Sequence, residues 1–156
     1  MSTWEEFGDS LTATFRHVAD RVFLIIASES DPARYVQFAG RPGRLDAEAP
    51  SIDVAKGADE SVLAGAGWTP PGPAQPNWTS SLPLPALTDE YGALADRCVR
   101  ALRDAYGIAG PDDLAYRAWR ESEQMPEGET WSEECIAALD RGEDPLDLPT
   151  LGLAAN

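Results

Sequence analysis

The side chains able to do covalent or acid–base chemistry are few and far apart in this chain. There is one histidine, His17. A nucleophile needs a base beside it, and His17 falls late in a stretch of helical apolar spacing, where it reads as a surface or half-buried helix residue. Asp46 and Glu48 lie two apart and so share one strand face. Paired carboxylates do acid–base work when their surroundings split their pKa values, but alternation with Leu45 and Ala47 reads as a solvated strand face. The two cysteines, Cys98 and Cys135, are too few for a disulfide framework and lack metal-ligand spacing. Cys98 stands on an apolar helical stripe, the place of a small buried hydrophobe. Gly65-Ala66-Gly67 is half of a dinucleotide fingerprint, and it precedes Trp68 and prolines instead of opening a helix. The chain has no Gly-x-Ser-x-Gly elbow and no Walker loop. The acids between Glu121 and Asp147 lack the spacing of a calcium loop. No catalytic residue, cofactor or metal is assigned, and the sequence reads as a binding protein, not an enzyme.

Charge narrows the partner. There are 27 acids against 12 bases, a net charge of −15. Nucleic-acid binding draws on Lys and Arg to displace counterions, so neither nucleic acid nor an anionic membrane is expected as partner. The excess is uneven. Residues 121–147 hold 10 acids and the single base Arg141, a composition break that divides the chain into a domain over 1–120 and an acidic C-terminal extension over 121–156. The longest apolar run, Val22–Ala27, is far short of the ~20 residues of a membrane span. The start, Met1-Ser-Thr-Trp-Glu-Glu, has neither a basic n-region nor an apolar h-region, and the expected location is cytoplasmic.

The elements that must carry any site follow from periodicity. Thr3 with Glu6 forms a capping box, and Trp4, Phe7, Leu11, Phe15 and Val18 recur at helical spacing over 4–20. Val22–Ala27 reads as a buried central strand. Turn residues separate it from a strand over Arg34–Ala39 and an alternating strand over Arg44–Ala49, an antiparallel meander. A short helix over Ala58–Ala66 is limited by Gly65 and Gly67. Four prolines between Trp68 and Pro76 make a loop or edge segment, ahead of a strand over Asn77–Leu82. Thr88, followed by Asp89 and Glu90, starts the best-signalled helix, which Gly107 stops. Leu114–Trp119 alternates as a last strand. The extension is read as a short helix over Ser132–Arg141, then an extended or disordered tail.

Five tryptophans remain. Trp4 and Trp119 sit on core-facing positions of their elements, whereas Trp68 and Trp78 flank the proline-rich loop, where Trp serves either core packing or a binding hot spot. Arg34-Tyr-Val-Gln-Phe-Ala39, Leu45-Asp-Ala-Glu-Ala49, Gly67-Trp68-x-Pro70-Pro71 and Asn77-Trp78 occur in order, and together this set resembles the actinobacterial TY-Chap domain family. That family is related to YbjN-type proteins and to type III secretion chaperones of the CesT kind. The resemblance implies an α+β sandwich in the order α-β-β-β-α-β-β-α, an antiparallel sheet with helices packed on one face. It implies a peptide- or protein-binding chaperone or adaptor that holds an extended segment of another polypeptide, and a homodimer. Tyr35, Phe38, Trp68 and Trp78 are then the expected partner-binding residues. The alternative is an immunity or regulatory protein that blocks a folded, basic partner through its acidic surface.

Overall fold

A computed structural model describes residues 2–125 and 127–156. Helix α1 spans Trp4–Thr14 and begins as its cap dictates: the Thr3 hydroxyl accepts from the Glu6 amide at 3.1 Å. The helix tightens into a 3₁₀ turn at Phe15–His17, shorter than the stretch of apolar spacing. Strands β1 (Val22–Ser28), β2 (Tyr35–Arg41) and β3 (Arg44–Ala49) form the expected meander. Helix α2 (Glu60–Ala66) starts on the Asp59 cap and ends at Gly67, whose φ of 100° is a left-handed value that suits glycine. Strand β4 (Trp78–Pro83) follows, then α3 (Thr88–Arg100), which continues as one π-helical turn over Ala101–Ala105. Strand β5 spans Leu114–Arg120, α4 Glu133–Ala137 and β6 Ala154–Ala155.

The six strands make one open sheet in the order β4-β3-β2-β1-β5-β6. All pairs are antiparallel except β5–β6, which is parallel. The class is α+β, as expected, but α3 stands between β4 and β5, so these two strands are not successive as the implied order had them. The physical cause is local: Thr88–Arg100 has a continuous apolar stripe with acids in its first turn and Arg97 and Arg100 in its last.

Alternation sorts the strand residues. Leu24, Ile26, Val36, Phe38, Leu45 and Ala47 point to the helices and are buried. There they meet Phe7, Leu11 and Phe15 of the N-terminal helix and Leu94, Cys98 and Leu102 of the α3 stretch, in one core cluster. Phe15 ties the layers together, with its ring 5.0 Å from Phe38 and 6.3 Å from Tyr91.

The composition break at Glu121 is not a break in packing. Residues beyond it run back along β5: Glu143 exchanges two backbone hydrogen bonds with Arg120, and Leu146 donates to the Ala118 carbonyl. Leu148 and Leu151 are buried in the common core, and the Leu148 amide donates to the Tyr116 hydroxyl at 3.0 Å. Two leucines, each gaining roughly 1.5–3 kcal/mol on burial, hold the extension to the core while Glu143, Asp144 and Asp147 around them stay exposed.

Candidate functional site

The sheet face away from the helices holds the outward residues of five strands. On β1 these are Phe23 and Ile25, half-buried between buried neighbours. Register puts Phe23 between Ala39 and Trp119, and Ile25 between Gln37 and Arg117. The rings of Phe23 and Trp119 stack at 5.4 Å with planes 11° apart. A guanidinium covers each: Arg41 lies 5.5 Å from the Phe23 ring and Arg117 4.6 Å from the Trp119 ring. Small Ala39 leaves room beside this stack. The result is a concavity of about 480 Å³ that reaches across β2, β3 and β4 to Thr69 and Gln75 of the proline-rich loop.

The far side of the concavity is polar. Asp46 accepts from Arg44 and from the Ser81 hydroxyl at 2.8 Å, and Arg41 lies 3.8 Å away. Glu48 accepts from the Gln37 amide at 2.7 Å. Tyr35 is on the same face at the start of β2, and burial together with the Glu48 charge raises its phenol above the ordinary tyrosine value.

Of the four expected partner-binding residues, only Tyr35 lies on this face. Phe38, Trp68 and Trp78 are interior, at 2%, 3% and 5% exposure. Trp78 opens β4 with its side chain on the helix side, and its indole donates to Glu60 at 2.7 Å. Trp68 follows the left-handed Gly67, which returns the chain beneath α3, and its indole donates to the Arg97 carbonyl at 3.3 Å. The prolines that follow Trp68 do not lift it out. Trp119 is corrected in the opposite sense: expected in the core, it is half-buried on the open face. Arg117 and Trp119 share one parity of β5, and the exposed arginine was the signal. Phe23 escaped because every residue of Val22–Ala27 is apolar, which hides alternation.

The groups considered for chemistry are scattered. His17 is exposed after the first helix. Burial pushes the Cys98 thiol far up, against a smaller lowering by Arg97, so it is held as the unreactive thiol. Cys135 is exposed on α4. Among the described residues no group of three or more His, Cys, Asp or Glu side chains is placed to hold a metal ion, and no helix is long and apolar enough to cross a membrane.

The structure is thus a helix-backed, mostly antiparallel sheet whose other face carries an aromatic stack and a polar rim. The chain belongs to the family described as T3SS (YopN, CesT) and YbjN peptide-binding chaperone 3, TY-Chap3, whose model matches residues 1–120. It is thus a member of a peptide-binding chaperone family, with the extension after Arg120 outside the matched region. No curated protein and no solved structure matches it.

Proposed function

We propose that the chain is a non-enzymatic chaperone or adaptor that holds an extended segment of another polypeptide on the open sheet face. The observation that carries this reading is the Phe23–Trp119 stack, two half-buried rings held together by cross-strand pairing, with Arg41 over one and Arg117 over the other. Half-buried aromatic side chains of this kind lose little side-chain entropy on contact. In this reading Tyr35 touches the partner, while Phe38, Trp68 and Trp78 act from below by fixing β2 and β4. The proposal includes a cytoplasmic place of action and a homodimer, the latter read by analytical ultracentrifugation.

The test is capture of a permanently unfolded polypeptide, reduced and carboxymethylated α-lactalbumin, by the full chain. Phe23→Ala and Trp119→Ala are expected to weaken capture at least tenfold while far-UV circular dichroism is unchanged. Undiminished capture by both variants would remove the open face as the binding surface.

A further inference from the structure

The open face has a chemical asymmetry that bears on which segment it accepts. Its acids are not equivalent. Asp46 is neutralised by Arg44 and Arg41. Glu48 is bonded only to the neutral Gln37 amide, and among the described residues no cation pairs with it. The two arginines nearest the apolar shelf are engaged over the Phe23 and Trp119 rings. The concavity therefore joins an apolar shelf at one side to an uncompensated carboxylate at the other, within a molecule of net charge −15. A half-buried carboxylate without a counterion favours a cation brought by the ligand.

Resting on the reading above, we propose that the groove selects an extended segment with a Lys or Arg for Glu48 and a large apolar side chain for the Phe23–Trp119 shelf. The register sets their separation. Phe23 pairs with Ala39, and Glu48 pairs with Gln37, so the two side chains are two strands and one two-residue step apart. At about 4.8 Å per strand and about 6.8 Å per step, this is about 12 Å. An extended segment keeps both side chains on one face only at even spacings, and the nearest of these to the span is four residues, about 14 Å. The flexible Lys stem takes up the remaining mismatch of about 2 Å.

The probes are three twelve-residue Ser/Gly-based peptides. Each carries one Phe, and the position four residues on, whose side chain in an extended peptide faces the same side as the Phe, is Lys, Gln or Glu. Affinities for the full chain and for Glu48→Gln are measured by calorimetry at low salt. Wild type is expected to bind the Lys peptide about three- to tenfold more tightly than the Glu peptide, with Gln between. Glu48→Gln should bring the three peptides within about twofold of one another, and raising the salt should compress the wild-type preference. If the variant keeps the full Lys-over-Glu ratio, or wild type shows none, the charge selection is overturned while peptide binding stands. If no peptide binds wild type, or binding is indifferent to Trp119→Ala, the open-face reading itself falls, and this proposal with it.

Discussion

Trp68, Trp78, Trp119 and Phe23 show how one residue type divides between core and surface by backbone parity alone. Trp68 and Trp78 each bury a large side chain and satisfy the indole N–H internally, the arrangement in which a buried Trp is stable. Trp78→Ala should therefore cost about 3–5 kcal/mol, the range for emptying such a site, seen as a lower urea midpoint with unchanged slope. Phe23→Ala removes a half-exposed ring, and its stability cost should be clearly smaller in the same titration. A Phe23→Ala loss as large as that of Trp78→Ala would mark Phe23 as a core residue and remove it from the binding surface.

At the scale of elements, two junctions decide how the sheet is held. Gly40 lies on β2 where the chain leaving α1 crosses it, and a Cβ there would stand 1.8 Å from the Ala19 carbonyl oxygen. That oxygen is backbone and cannot swing away, so Gly40→Ala should shift β2 or unfold the domain. A loss above ~2 kcal/mol in urea unfolding is expected. The second junction is Asp140, which binds Arg120 at 2.6 Å and Arg21 at 3.1 Å and so ties the extension to both sides of the β1–β5 pair. The Arg120 guanidinium, with help from the Gly142 amide and Arg21, holds the Asp140 carboxyl far below the usual carboxylate range. A group with a depressed folded-state pKa stabilises above its ordinary value of about 3.9 and loses that contribution as pH falls through the folded value. Acidification below about pH 4 should thus loosen the extension progressively. Asp140→Asn should loosen it already at neutral pH, read as faster amide exchange at Glu123 and Glu143, whose N–H groups bond Asp140 and Arg120 carbonyls.

Across the whole molecule, backbone partners lie along part of β4 and along β5, and among the described residues most of the strand side chains opposite the helices are half-exposed. Along β5 the extension supplies Glu143, Leu146 and β6. Along β4, Thr69 exchanges backbone hydrogen bonds with Thr79 at 2.8 and 3.1 Å, and Pro83 has no N–H to offer. Strand addition, one way a sheet captures a peptide, is hindered along these stretches, which favours the open face as the proposed contact surface. A bound peptide should change Trp119 emission, compared against Trp119→Phe, and leave amide protection in β5 and β6 as it was. Loss of that protection on binding would show instead that the partner displaces the extension. Leu151→Ala, which empties a core site filled by the extension, should cost about 2–5 kcal/mol, because residues outside the family match complete the core of the domain.

Local order was legible in the chain by itself. The Thr3 cap, the Arg44–Ala49 alternation, the acids and arginines at opposite ends of α3 and the turn residues between strands act over a few residues, and their elements stand where periodicity puts them. The ordered motifs of the family were equally available without coordinates. Which face each tryptophan occupies was not, because an all-apolar strand such as Val22–Ala27 carries no alternation, and a proline-rich loop does not state its direction. Nor could composition reveal that Leu148 and Leu151, set among acids and prolines, return to a core built more than thirty residues earlier by Tyr116 and α1. Those outcomes belong to long-range packing: burial is decided by what arrives from elsewhere in the chain, and only the assembled sheet and helices determine what that is.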